Sequence, residues 1–280
     1  MFCNRQPPLL ILILLASVSG YGQIEQKVKK ENLLLSTQKF SLGARLGAGI
    51  TYAHLSKIID RQRFDIMGKP GFGLSGHLTM PVMRGINFIA EAGYESSGRK
   101  MRDLNAGWVN DIHYDFITGS MGIQKILTIK RNDHPVGNFY FSIGPALAYL
   151  LGGQGKIITP GGQKTTYKMI FNESDSSLYS DFGKYFINHP VRNLIGVQFA
   201  IGGEIPINLK RNIQIELRAN MGQTKLGNQQ TTHYLNILNF SDTMNLNLKT
   251  VSLNIIYNFS FDTRARRQGK SSSKLPARKN

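Results

Sequence analysis

Long stretches of this chain alternate apolar and polar residues with period two. From Phe40 to Tyr52, Phe40, Leu42, Ala44, Leu46, Ala48, Ile50 and Tyr52 take one face, while Ser41, Gly43, Arg45, Gly47, Gly49 and Thr51 take the other. Only a strand sends successive side chains to opposite faces, so this run has one apolar wall and one polar wall. Further stretches repeat the pattern. Phe72, Leu74, Leu78 and Met80 oppose Gly73, Ser75, His77 and Thr79, and Ile86, Phe88, Ala90, Ala92 and Tyr94 oppose Asn87, Glu91 and Gly93, with Ile89 interrupting the polar set. Phe139, Phe141, Ile143, Leu147 and Tyr149 form a fifth apolar face, on whose phase Pro145 also falls; that proline predicts a bulge or an irregular spot. Leu194–Ile205, Ile213–Gly222 and Leu246–Phe261 give a sixth, seventh and eighth stretch, the last with Ile256 as its exception.

The fourth stretch, Ile112–Ile126, is the least regular. Ile112, Tyr114 and Phe116 keep one phase and Ile117, Met121 and Ile123 the other. A bulge near Phe116 would reconcile them, because one extra residue swaps the faces.

The connections carry a second pattern. Those after the second and sixth stretches (Pro81–Gly85, Pro206–Asn212) are short, and Lys130–Gly137 after the fourth is fairly short. Those after the first, third, fifth and seventh are long, Gly152–Arg192 being the longest. Short turns at one end and long loops at the other belong to barrels whose apolar wall faces lipid. The predicted class is therefore all-β: an eight-stranded antiparallel up-and-down transmembrane β-barrel over 40–261, with short periplasmic turns and long extracellular loops. An even strand number leaves both termini in the periplasm. Aromatics near strand ends (Phe40, Tyr52, Phe72, Tyr94, Phe139, Tyr149, Tyr257, Phe259, Phe261) suit two interfacial girdles.

Leu9–Leu15 is an almost unbroken apolar run preceded by Arg5 and followed by small residues, the layout of a secretory signal peptide. Cleavage after Ser19 or after Gly22 fits, and the second gives a signal peptide over 1–22. Residues 23–39 then read as a polar periplasmic lead-in. The single cysteine, Cys3, precedes the apolar run, so the mature chain has no thiol for a disulfide, a metal or a nucleophile.

Net charge is +17, from 34 Lys+Arg against 17 Asp+Glu. Residues 262–280 form a basic tail with Arg264, Arg266, Arg267, Lys270 and Lys274 and, beyond them, Arg278 and Lys279. In a secreted chain the counter-charges are outer-membrane lipid, cell-wall polymer or an envelope or secretion-system protein, rather than nucleic acid.

Five charged residues fall on the inward phase: Arg45, Glu91, Glu204, Glu216 and Arg218. An eight-stranded barrel is just wide enough for side chains to fill, and an unpaired buried charge is costly. These residues are expected to pair as an internal charge network. Catalytic chemistry has weaker support. His77 shares a face with Ser75, and His113 with Asp115, but neither pair has a third member to orient it. His189, His233, Glu173, Asp175 and Asp181 lie in the long loops without metal-ligand spacing, and no cofactor motif is present. The rival readings are a lipid A-modifying barrel enzyme and a soluble periplasmic barrel whose apolar wall lines a ligand cavity.

The Gly-rich first strand (Leu42–Thr51, LGARLGAGIT), the run GPALAYLLGG (Gly144–Gly153) and the aromatic-ended SLNIIYNFSF (Ser252–Phe261) together resemble the PorT-type outer-membrane β-barrel family of Bacteroidetes. The resemblance spans roughly Phe40 to Phe261. It implies an outer-membrane location and an eight-stranded barrel, and its founding member is tied to type IX secretion. It carries no catalytic residues over to this chain.

Overall fold

A computed structural model describes residues 40–83, 85–131, 134–171, 183–186, 191–208, 210–227, 232–234 and 241–261. The expected signal peptide, lead-in and basic tail lie outside them. Eight strands make the barrel: β1 (Phe40–Leu55), β2 (Lys69–Met83), β3 (Ile86–Asp103), β4 (Val109–Arg131), β5 (His134–Ile158), β6 (Asn193–Asn208), β7 (Arg211–Gly222) and β8 (Leu246–Phe261). Each pairs antiparallel with the next, and β8 pairs with β1, so no edge is left open around the ring. Following the ladder once round from Leu42 through Leu78, Ala90 and Val197 to Lys249 returns to β1 at Tyr52, ten positions on. With about 3.3 Å per residue and about 4.8 Å between strands, that stagger tilts the strands by about 40°.

Three connections have two residues each: 84–85, 132–133 and 209–210. Gly85 takes φ +70° in the first, a conformation that favours glycine. All three lie at one end.

The outward wall is apolar over a limited height. Leu46 is 61 % exposed and Leu74, Ile123, Ile195, Ile201 and Ile255 more than half exposed, in a chain whose inward wall buries Ser75, Thr79, Gln198, Asn254 and Asn258. From Leu42 to Tyr52 on β1, and from Phe139 to Tyr149 on β5, the apolar phase runs ten residues. At the tilt above this is about 25 Å of height, the lipid-facing band of an outer-membrane-type barrel. Rings border it at both levels: Phe40 and Phe261, 6.4 Å apart, at the short-turn end, and Phe72 and Tyr94, 6.1 Å apart, at the other. Among the described residues no helix is long and apolar enough to cross a membrane; the strands do the crossing.

Several strands continue past this belt, and there the polarity reverses. β4 has 23 residues and β5 has 25. In their upper parts the inward side chains are apolar: Ile112, Tyr114, Phe116, Leu150 and Ile157 join Leu55, Phe64, Met101, Tyr167, Met169, Leu226, Met244 and Leu246 in one core. The outward ones are Asp111, His113, Asp115, Gln154 and Lys156. A helix (Ile58–Arg63) and a strand (Phe64–Met67) flank β3. Lys164–Ile170 extends β5, and Gly183–Phe186, Thr232–Tyr234 and Ser241–Asp242 continue that sheet. The result is a water-facing lobe built on the lipid-facing barrel.

This reversal corrects two sequence expectations. β4 is longer than Ile112–Ile126 and contains no face-swapping bulge: Ile112, Tyr114, Phe116 and Gln124 all point inward on one uninterrupted phase. What changes is the surroundings, from apolar core above to polar lumen below. The register does shift at Asp115/Phe116, which pair with Gly152 and Leu150. The extra residue is Leu151, so the swap falls on β5. The third connection is not a long loop but the five residues Leu104–Trp108, closed by Asp103. Pro145 sits on the outward phase opposite Val197; on its other side the ladder with β4 skips Met121 and Gly122, which pair with neither Pro145 nor Gly144, so the expected irregular spot is there without a bulge.

Candidate functional site

The barrel lumen holds a layer of charge. Glu91 on β3 lies opposite His77 on β2 and Ser120 on β4, and Arg218 reaches it across the lumen from β7. Arg218 Nη1 donates to Glu91 Oε2 at 2.5 Å and Nη2 to Oε1 at 2.8 Å, a two-pronged pair. The Nε of Arg218 donates to Glu216 Oε1 at 2.7 Å. Glu216 also accepts from Tyr140 Oη at 3.2 Å and from Asn254 Nδ2 at 3.4 Å. Arg45 Nε donates to Ser75 Oγ at 2.7 Å and stands 3.6 Å from Glu91 Oε2. His77 Nδ1 is 2.8 Å from Glu91 Oε1 and its Nε2 2.9 Å from Thr79 Oγ1. A carboxylate only accepts, so Nδ1 donates to Glu91 and Nε2 faces the hydroxyl.

Of the five inward charges read from the sequence, four therefore meet: Arg45, Glu91, Glu216 and Arg218. Glu204 stands apart toward the short-turn end, accepting from the amides of Asn138, at 3.4 Å, and of Asn212. Small residues make room for the layer. A Cβ at Gly47 would lie 1.9 Å from Asn254 Oδ1, and one at Gly202 2.6 Å from the hydroxyl oxygen of Tyr140. Glycine lets both side chains lie flat across the lumen.

Above this layer lies a cavity of about 100 Å³, walled by Arg45, Glu95, Gln198, Asn220 and Thr250 and roofed by Phe116 and Leu248. A drug-sized apolar ligand needs about 300 Å³ or more with mostly apolar walls. This space is a third of that, and its size together with the outward apolar belt argues against the soluble ligand-carrier reading.

Neither histidine pair forms a nucleophile and base. Ser75 accepts from Arg45, and His77 is engaged by Glu91 and Thr79. His113 lies on the outer face of the lobe, where burial and then Lys69 hold its pKa below the ordinary value. Among the described residues no group of three or more His, Cys, Asp or Glu is placed to hold a metal ion; His189, Glu173, Asp175 and Asp181 lie outside them.

The lobe contributes charges the sequence reading passed over. Arg99 is fully buried in the apolar core, its Nε donating to Tyr114 Oη at 2.7 Å and its Nη1 to Met101 Sδ at 3.2 Å. Lys69 hydrogen-bonds Asp111, with Lys156 3.4 Å from the same carboxylate. Burial pushes the Asp111 carboxyl up, but the Lys69 bond and charge outweigh it and hold it below the usual range. Asp103 is lowered likewise: against burial stand the 2.7 Å bond from Arg63 and those from the backbone N–H groups of Ala106 and Asn105. The signal for Arg99 was present, since it continues the inward phase of Ile89 and Glu91 up β3.

No family model matches the chain, and no curated protein matches it; the PorT-type resemblance gains no support from either. Among solved structures it is similar to the outer membrane protein OprG from Pseudomonas aeruginosa (7% identity, TM-score 0.45, 81% of this chain and 97% of that one). It is also similar to Neisserial surface protein A (12%, 0.36, 79% and 97%) and to Ail, the attachment invasion locus protein of Yersinia pestis (10%, 0.34, 79% and 99%). At such identities and scores these likenesses bear on neither ligand nor partner.

Proposed function

We propose that this chain is a non-enzymatic integral outer-membrane barrel that presents a rigid, apolar-cored lobe outside the cell. The observation that carries this is the polarity reversal along β3, β4 and β5. Side chains that face lipid below Tyr94, Asp115 and Tyr149 give way to charged ones above, while the interior turns from polar to apolar. A closed barrel with a 25 Å apolar belt suits a bilayer crossed by strands, and the three two-residue turns suit the periplasmic side, with both termini there. The role is one of binding, envelope structure or, following the PorT-type likeness, accessory work in secretion. Its partners are outer-membrane lipid and envelope or secretion-system proteins. The engagement of Ser75 and His77 by other groups speaks against the lipid A-modifying enzyme.

Fractionation followed by labelling tests this. The protein is expected in carbonate-washed outer membranes, with a mobility that changes on boiling. A membrane-impermeant amine reagent on intact cells is expected to modify Lys164 and Lys168, both exposed on the lobe. Release by carbonate would overturn the membrane reading. Labelling only after permeabilisation would overturn the orientation.

A further inference from the structure

The rim where the strands leave the apolar belt is charged unevenly. On the side formed by β5, β6, β7, β8 and β1, the segments 50–57, 147–152, 191–197, 219–227 and 243–251 carry Lys57, Arg192, Lys225 and Lys249 and no acid. On the β2–β3–β4 side, segments 65–72, 94–103 and 109–117 carry Asp65, Asp103, Asp111 and Asp115 among their cations, Glu95 facing the lumen cavity instead. There the charges neutralise each other, as in the Lys69–Asp111 and Arg63–Asp103 pairs.

Backbone bonds make Arg192 and Lys225 neighbours and place Lys249 on the adjoining strand. Val191 N–H donates to Leu226 O at 3.1 Å, which sets Arg192 beside Lys225, and Leu226 N–H donates to Leu246 O at 3.1 Å, which ties that segment to the start of β8. Lys249 stands in the ladder between Met221 and Tyr52. Beside and below the three cations lie the last lipid-facing residues, Met221 and Tyr52 flanking Lys249, and Tyr149, Ile195 and Val251. Arg192 is fixed in place: its guanidinium lies 4.7 Å from the Tyr149 ring and 4.9 Å from the Phe171 ring, and its Nε donates to Leu150 O. No acid of the described residues pairs with any of the three. The arc continues to His54, 3.2 Å from Arg61 Nη2. Burial and then the charges of Lys249 and Arg61 hold the His54 pKa below its ordinary value, and Asp60 is the nearest acid along the chain.

We infer that this arc binds the phosphates of anionic lipid headgroups in the outer leaflet, with Arg192 as the fixed anchor and Lys225 and Lys249 as flexible partners. Cations set just above a lipid-facing aromatic ring meet headgroup phosphates at their own depth, and planar, delocalised Arg suits phosphate oxygens in pairs. The acyl chains of the same lipid then lie on the apolar belt beneath. The inference rests on the lobe facing outward.

The test uses the full chain, purified folded in detergent and titrated with a bisphosphorylated glucosamine lipid. R192A/K225A/K249A is expected to bind at least about tenfold more weakly, at several-fold per cation near an anionic surface. K100A/R102A, on the mixed-charge side, is expected to stay within about twofold on the same principle. Both must keep the change of mobility on boiling. A dephosphorylated lipid that binds equally well, or equal weakening in both variants, overturns the inference. So does competition by inorganic phosphate at matched concentration, since that would mean a free-phosphate site. Labelling of Lys164 and Lys168 on intact cells separates the two readings: outward labelling with unchanged lipid binding in the arc variant removes the arc alone, and no outward labelling removes the orientation.

Discussion

Glu91 is approached from three directions: by Arg218 across the lumen, by His77 on the next strand, and by Arg45 two strands away. Removing its charge leaves Arg218 with Glu216 alone and Arg45 with no carboxylate within 4 Å. Breaking a buried pair by deleting one partner costs about 3–5 kcal/mol, because the remaining charge stays desolvated. Glu204 is bonded only by amides, so Glu204→Gln loses at most a charged acceptor, about 1–2 kcal/mol. Urea unfolding from vesicles, read by the fraction of protein with folded mobility, is expected to rank Glu91→Gln well below Glu204→Gln. Equal costs would mean the layer is not a coupled unit. The residues of this layer were legible because each sits on the inward phase of a regular strand. Their pairing was not, since which charges meet depends on the ten-residue stagger that lifts one strand against its partners, and no local pattern records it. Glu204 shows the consequence: its phase is inward, but its height is wrong.

Among the elements, β4 shows what period-two reading can and cannot do. Its phase never breaks, yet the apolar residues change sides, because the strand passes from a lobe with a dry inside to a belt with a dry outside. A pattern of apolar positions reports the dry side only, so one strand crossing two environments looks like two strands out of step. The real bulge, at Leu151, was hidden on β5 by the run Leu147–Leu151, where alternation is blurred. The boundary on β4 lies between Asp115 and Ile117 on one outward face, and this can be measured. Met121→Arg puts a cation on the belt and is expected to cost about 2–4 kcal/mol, as lipid-facing Arg does near mid-bilayer. His113→Arg, four outward positions higher, is expected to cost less than about 0.5 kcal/mol, as a water-facing surface change does. If both variants unfold at the same urea concentration as the parent, the belt does not face lipid at this height.

At the scale of the whole molecule, two opposite polarity patterns are stacked on one continuous sheet, and each closes the other. The barrel needs its lumen polar because its outside is in lipid, so eight strands fill with Arg45, Glu91, Arg218, Glu216, Tyr140 and the asparagines that bond them. The lobe needs its inside apolar because its outside is in water, and Phe116, Leu150, Leu246 and their neighbours pack above the lumen. Between them lie a cavity of about 100 Å³ and, beside Arg45 and Asn254, a smaller one of about 20 Å³, room for a few waters rather than a path. An ion entering from below meets a layer of paired charge, and from above an apolar core that offers no partner for its hydration shell. In planar bilayers the protein is therefore expected to insert without producing discrete conductance steps at 1 M KCl. A steady open level in the parent protein would show that the lumen side chains or the lobe core move aside, and the molecule would have to be understood as a gated channel. Silence from the parent, with steps appearing in Arg218→Ala/Tyr140→Ala, would instead place the block in the charge layer rather than in the lobe core.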